Sequence, residues 1–177
     1  MPAAVPPSSF MAWPLWFLPA ALATLVLDQA TKWWLFALPA DAPLPGWIER
    51  AVNPGVAWSI GRDAPAMVAL ITVVLIPVLC WVWWRYFRTA GAWENLAFGA
   101  ILGGAFGNGI DRALARFGTI GGVRDFIHVD LGVAPFHPWP TFNIADAGIT
   151  CGFVILVILN FRKHQPAPTT AGLVSDR

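Results

Sequence analysis

The sequence predicts an all-α membrane protein in which four helices cross the bilayer. Of the 177 residues, 57% are hydrophobic and only 12% are charged, against about 25% charged residues in an ordinary soluble domain. With a mean hydropathy of +0.61, the chain is too poor in charge to cover a surface that faces water. The apolar residues also gather in four runs, each close to the roughly 20 residues that a bilayer requires.

The runs define one domain with a short tail at each end. They cover residues 13–36, 66–86, 93–114 and 147–161, and the fourth, being short, is expected to begin at Asn143. Pro77 predicts a kink in the second run rather than a break. Residues 13–163 therefore form the domain, while the Pro-rich segment 1–12 and the polar segment 164–177 are expected to be disordered.

The ends of the runs indicate an orientation. Basic residues in the short loop after the second run and directly after the fourth run favour cytoplasmic placement of both termini. These residues are Arg85, Arg88, Arg162 and Lys163, with Arg177 further along. Tryptophans at the run ends are interpreted as interfacial anchors, namely Trp33, Trp34, Trp81, Trp83, Trp84, Trp93 and Trp139.

Several classes of partner are not indicated. A formal net charge of +1 provides no electrostatic footprint for nucleic acid. Cys80 and Cys151 lie inside apolar runs, and the three histidines have no metal-ligand spacing. The sequence therefore predicts neither a metal nor a cofactor.

Both outer loops, about 38–65 and 115–142, contain β-like stretches. In VRDFIHVDL, the two-residue alternation of a strand places Asp125 on the face that also carries Val123 and Ile127. A carboxylate facing solvent would not be expected there. Asn53, which precedes Pro54 and Gly55, indicates a turn in the first loop.

The first and third runs carry polar residues at helical spacing. Asp28 and Lys32 are four residues apart, so either an ion pair that fixes the helix end or a catalytic role is open. In the third run, Gly99, Gly103 and Gly107 have the small-xxx-small spacing of close helix packing. Gly104, Asn108 and Asp111 form one stripe beside Arg112, and we expect the polar members to line a site.

At the fourth run, Asn143 and Asp146 have the spacing of an N-cap and its third helical residue. A capping box, with Asp146 near the positive end of the helix dipole, accounts for both residues without any chemistry. It does not account for Asp125.

Five blocks in order, DQATK, NPGVAWS, GGAFGNGIDR, VRDFI and FNIAD, resemble the bacterial lipoprotein signal peptidases (signal peptidase II), which are intramembrane aspartic peptidases. The resemblance implies that Asp125 and Asp146 are the catalytic pair. It also implies substrate-binding or supporting roles for Asp28, Lys32, Asn53, Gly104, Asn108, Asp111, Arg112, Asn143 and Ala145. Trp58 and Arg124 depart from the family pattern, at positions expected to lie in the walls of the site.

The resemblance further implies a diacylglyceryl-modified prolipoprotein substrate, cut on the amino side of its lipidated cysteine. It implies a monomer in the bacterial inner membrane, in contact with membrane lipids, with a small β-rich platform and an active site near the periplasmic face. Opposing environments suggest that Asp146 is the more readily ionised acid and Asp125 the proton carrier. The alternative is a small transporter whose acids bind protons or cations, but the charges lie at run ends, which favours an interfacial site.

Overall fold

The computed structural model describes residues 13–55, 61, 63–130, 132–133 and 139–163. The helices are α1 (Trp13–Ala37), α2 (Pro65–Val82), α3 (Ala92–Arg116) and α4 (Ile144–Lys163), and the strands are β1 (Ile48–Asn53) and β2 (Val123–Ile127). The four predicted runs are thus confirmed as helices to within a few residues. The expectations for segments 1–12 and 164–177 and for Trp58 lie outside the described residues.

Two helical stretches, Pro65–Phe87 and Ile144–Arg162, are long and apolar enough to cross a membrane. The first includes a π-helical turn, Trp83–Phe87, that continues α2, which runs unbroken through Pro77. At 25 residues each, α1 and α3 are about 37 Å long. Asp28 and Lys32 interrupt the hydrophobic sequence of α1, while glycines and charged side chains interrupt that of α3.

Helix α3 is the centre of the bundle, packing mainly against α1 and α4 and less extensively against α2. A Cβ atom at Gly99 or Gly103 would collide with the α1 backbone carbonyls of Phe17 or Ala21, and one at Gly104 would collide with the carbonyl of Ala145 in α4. The small-xxx-small spacing therefore marks close helix approach, as predicted.

Trp83 corrects the prediction that tryptophans at the run ends are interfacial anchors. Its indole is only 7% exposed, stacks on Phe17 with ring centroids 3.9 Å apart, and donates a hydrogen bond of 3.0 Å to Asn95 Oδ1. Trp83 is buried because the π-helical turn directs it inward, against α1 and α3. The neighbouring Trp81 and Trp84 are exposed.

The two strands pair antiparallel, with Ala51 opposite Asp125 and Asn53 opposite Val123. The strand is shorter than the alternation suggested, since β2 ends at Ile127, which forms a bridge to Phe142 just before α4. Both faces of β2 are buried. The sheet therefore carries Asp125 to the beginning of α4.

Candidate active site

Asp125 and Asp146 are brought together by the side chain and backbone of Asn143. Asn143 Nδ2 donates to Asp125 Oδ1 at 2.6 Å, and the Asn143 backbone N–H donates to Asp146 Oδ2 at 3.1 Å. The Asp146 N–H in turn donates to Asn143 Oδ1 at 2.9 Å. These last two bonds are those of a capping box. The capping interpretation thus holds, and the same residues also assemble the acid pair.

Asn108 connects this pair to the first helix. Its Nδ2 donates to Asp146 Oδ1 at 2.7 Å. Its Oδ1 accepts hydrogen bonds from Lys32 Nζ at 3.0 Å and from Asn143 Nδ2 at 3.1 Å. The orientation of the Asn108 amide is therefore fixed by donors on one side and an acid on the other.

The environment of Asp125 favours its neutral form. The side chain is 2% exposed, and burial, followed by the nearby Asp146 carboxylate, raises its pKa to about 7. Hydrogen bonds from Asn143 and Asn53 and the charge of Lys32 act in the opposite direction. Asp125 can therefore hold a proton near neutral pH.

Beneath the pair lies an ion cluster formed by Asp28, Lys32, Asp111 and Arg124. Lys32 Nζ lies 2.8 Å from Asp28 Oδ2 and 3.3 Å from Asp111 Oδ2, and these three side chains are fully buried. Asp28 Oδ1 also accepts the backbone N–H of Ala145 at 3.0 Å. The predicted ion pair is present, and it ties α1 to the first turn of α4.

Arg124 occupies a different place from the one expected. It is 2% exposed and forms a bidentate ion pair with Asp111, with Nη2 2.7 Å from Oδ1 and Nε 3.3 Å from Oδ2. Its guanidinium lies 4.4 Å from the ring centroid of Trp33. The expectation that Arg124 forms a wall of the site is wrong, because the alternation of β2 turns it away from Asp125 and toward α1 and α3.

Gln29 was missed by sequence reasoning. Its Nε2 donates to the backbone carbonyl of Gly107 at 3.0 Å and to Asp28 Oδ2 at 3.1 Å, and its Oε1 accepts from Arg124 Nη2 at 3.3 Å. The only available signal was its position next to Asp28 in the DQATK block.

A cavity of about 630 Å³ opens beside the acids. Its polar side is formed by Asn53, Asn108, Arg112, Asp125 and Asp146, and its walls are mostly apolar side chains of α2, α3 and α4. Trp139, predicted as an anchor, also lies in the wall. Of the predicted site residues, Gly104 is a packing residue, while Asp28, Lys32, Asp111, Asn143 and Ala145 support the site from outside the cavity lining.

Arg112 reaches the cavity from α3. Its Nη2 donates to the backbone carbonyl of Gly55 at 3.2 Å, and its guanidinium interacts electrostatically with Asp146 and Asp125. Within the described part of the chain, Arg112 Nε is a buried donor that lacks a hydrogen-bond partner.

The fold is shared with a solved bacterial membrane enzyme. A bacterial membrane enzyme whose structure was obtained by the in meso method at 2.3 Å resolution superposes with a TM-score of 0.69, covering 89% of this chain and 93% of its own, at 24% identity. That likeness establishes the fold.

Sequence comparison then identifies the family. The family model for signal peptidase (SPase) II matches residues 20–162, and the chain belongs to this family. The lipoprotein signal peptidase of Beijerinckia indica is 36% identical over 168 residues, and the match covers 86% of this chain and 93% of that protein. The one from Chlorobium phaeobacteroides is 36% identical over 156 residues, covering 81% and 94%. Membership makes the chain a peptidase and favours that interpretation over a transporter.

Proposed function

We propose that this protein is an aspartic endopeptidase that removes signal peptides from diacylglyceryl-modified prolipoproteins. It cuts on the amino side of the lipidated cysteine, with Asp125 and Asp146 as the catalytic pair. The observation that carries the proposal is the pair itself, since two carboxyl groups from different elements are held by one residue, Asn143, at the edge of an apolar cavity.

The pair divides the chemistry between its members. Asp146, in the first turn of α4, is ionised and removes a proton from a water molecule held between the acids. Asp125, with a pKa of about 7, is protonated and donates to the oxygen of the scissile carbonyl. The attack forms a tetrahedral diol and leaves Asp146 protonated and Asp125 ionised. Asp146 then gives its proton to the peptide nitrogen while Asp125 takes one from a diol hydroxyl, and the C–N bond breaks to release the amine and the carboxylic acid. Two neighbouring carboxylates do not both ionise readily, which keeps one proton on the pair.

The cavity suits a substrate that is part peptide and part lipid. Val68, Ile71 and Leu75 of α2 face Ile149 of α4 across it and provide apolar walls. The guanidinium of Arg112, at the polar edge of the cavity, is placed to bind a backbone carbonyl of the peptide. Asn53, beside Asp125, provides a second polar contact at the same edge.

In this proposal all four helices cross the bacterial inner membrane, with both termini in the cytoplasm and the acids near the periplasmic face. The outward surface of α2 supports the placement of that helix, because large apolar side chains such as Leu70, Val73 and Val74 are more than half exposed. In α1 and α3, the charged residues of the ion cluster are buried inside the bundle, so they do not meet lipid.

The test is cleavage by the purified protein in detergent or proteoliposomes. A prolipoprotein whose cysteine carries diacylglycerol should lose its signal peptide, with a new amino terminus at that cysteine. The same prolipoprotein with an unmodified cysteine is the matched control and should be cleaved poorly. Equal cleavage of both forms, or cleavage of neither, would contradict the proposed substrate.

A further inference from the structure

The ion cluster and the acid pair together contain a balanced set of buried and partly buried charges. Within the cluster, Asp28 and Asp111 are matched by Lys32 and Arg124. Beside the pair, the guanidinium of Arg112 matches one negative charge. The buried site is therefore neutral when Asp125 and Asp146 share a single proton. Unbalanced charge in a poorly solvated site is costly, so this balance favours that protonation state.

Arg124 has the contacts needed to maintain the balance. It donates hydrogen bonds to both carboxylate oxygens of Asp111. Lys32 lies 2.8 Å from Asp28 and 3.3 Å from Asp111. Because Arg124 also pairs with Asp111, Lys32 is not the only cation that balances these two acids. The charge of Lys32 acts on Asp125 and on Asp146. Without Arg124, more of that charge would be neutralised by Asp111.

Arg124 is also part of the backbone that holds Asp125. Its N–H donates to Asp111 Oδ2 at 2.9 Å, and its carbonyl oxygen accepts from Asn143 Nδ2 at 3.3 Å. One residue therefore attaches β2 to α3 on one side and to the amide that joins the two acids on the other.

We propose that Arg124 is a positioning residue for the Asp125–Asp146 pair, and that it sets the pH range of the enzyme by neutralising Asp111. The proposal rests on the proposed function, in which these acids are the catalytic pair. Arg124 does not touch substrate in this scheme, because it lies on the side of β2 that faces away from the cavity.

Other ionisable groups around Asp125 are accounted for. The packed helices carry Asp28 and Lys32 (α1), Cys80 (α2), Glu94, Asp111, Arg112 and Arg116 (α3), and Asp146, Cys151, Arg162 and Lys163 (α4). On β1, Glu49 pairs with the partly exposed His128, and Arg50 donates to carbonyls at the end of α1. Of these groups, Asp111 is bound directly to Arg124, whose Nη2 also donates to the amide oxygen of Gln29.

The experiment compares the pH profiles of cleavage for variants that unbalance the cluster in opposite directions. Arg124→Gln leaves one excess negative charge, so Asp125 should retain its proton to higher pH and the midpoint of the alkaline limb should rise by about one pH unit. Asp111→Asn leaves one excess positive charge and should lower the midpoint. The double variant is neutral again, and its midpoint should return to that of the unmodified protein even if its rate stays low.

A merely structural role gives a different result, in which rate and melting temperature fall while every midpoint stays unchanged. That result would overturn the proposal. So would midpoints that shift in the same direction in the two single variants, or a double variant whose midpoint shifts as far as that of Arg124→Gln. If Arg124→Gln does not fold, the downward shift in Asp111→Asn and the neutral double variant decide it.

A readout without substrate separates this proposal from the proposed function. In each background, the melting temperature is compared with and without Asp125→Asn between pH 4 and pH 9. The pH at which the difference develops reports proton binding by Asp125 and should move as the cleavage midpoint does. If the unmodified protein cleaves no prolipoprotein, the proposed function fails, while the melting data still test the role of Arg124.

Discussion

The two sides of α3 face neighbours of opposite character. Toward α1 and α4, glycines bring backbones into contact, and the buried charges of the ion cluster are paired with one another. Toward α2, the helix borders the cavity, and a Cβ atom at Gly109 would meet only side-chain atoms, the nearest being Ile76 Cδ1 at 3.2 Å.

The difference corresponds to two requirements of the proposed function. Acids that share a proton must be held in a fixed geometry, which the packed side provides through short hydrogen bonds and helix contacts. A large substrate must also enter, and the α2 side offers space bounded by apolar side chains. Variants that act on one side only should therefore affect folding and catalysis to different degrees.

The largest effect is expected at the acid pair. Asp125→Asn and Asp146→Asn should each reduce cleavage by at least about 10³-fold, because neither acid alone can both activate water and protonate the carbonyl. Both variants should still fold, since Asn can accept the bond from Asn143. Cleavage of diacylglyceryl prolipoprotein and melting in detergent measure the two properties. Substantial activity in a folded variant would disprove the pair.

Asp28→Asn tests the ion cluster. It leaves the fully buried Lys32 with Asp111 as its remaining acid partner in the cluster, and the loss of a buried partner typically costs about 3–5 kcal/mol. The melting temperature should fall together with activity. Glu49→Gln removes the partly exposed pair with His128, where an exposed ion pair contributes about 0–1 kcal/mol. Similar losses in both variants would show that the buried cluster has no special role in stability.

The pKa of Asp125 makes stability depend on pH. Below about pH 4 the carboxyl group is protonated in both the folded and unfolded protein. As pH rises toward 7, the unfolded chain releases the proton while the folded protein retains it, so the stability that the protonated group contributes is progressively lost. The total change is at most about 4 kcal/mol.

Asp125→Asn removes this dependence. Its melting temperature relative to the unmodified protein should therefore rise between about pH 4 and pH 7 and level off above that range. Cleavage by the unmodified protein should decline above about pH 7, as Asp125 loses the proton it donates. A melting difference that is constant from pH 4 to pH 9 would show that Asp125 has an ordinary pKa.

The smallest effect concerns the packing on the two sides of α3. Gly104→Ala places a methyl group against the carbonyl of Ala145, which should cost about 1–3 kcal/mol and displace the first turn of α4. Gly109→Ala is the matched control on the same helix, because its methyl group meets only the movable side chains of Ile76 and Thr72. Thermal melting should show a clear loss only for Gly104→Ala; equal losses would mean that the α2 side is packed as tightly.

Local patterns in the sequence were sufficient for much of this architecture. Helices followed from apolar runs, and the strand carrying Asp125 followed from a two-residue alternation. The contacts of Arg124 and Gln29 could not be derived in this way, because their partners lie on other elements of the structure. These two residues bond to each other although they are 95 positions apart in the sequence. The burial of Trp83 depends on a π-helical turn and on its packing against Phe17, neither of which a hydrophobic run encodes.

Asn143 fixes the spacing of the two acids in the candidate active site. Its amide spans from Asp125 on a strand to the backbone of Asp146 on a helix, so the spacing of the acids is set by the dimensions of one rigid side-chain group. Movement of α2 to admit a bulky substrate need not alter that spacing, because no hydrogen bond described for Asn143 involves α2. A change at the α2 wall of the cavity would therefore leave the spacing of the two proposed catalytic acids unaltered.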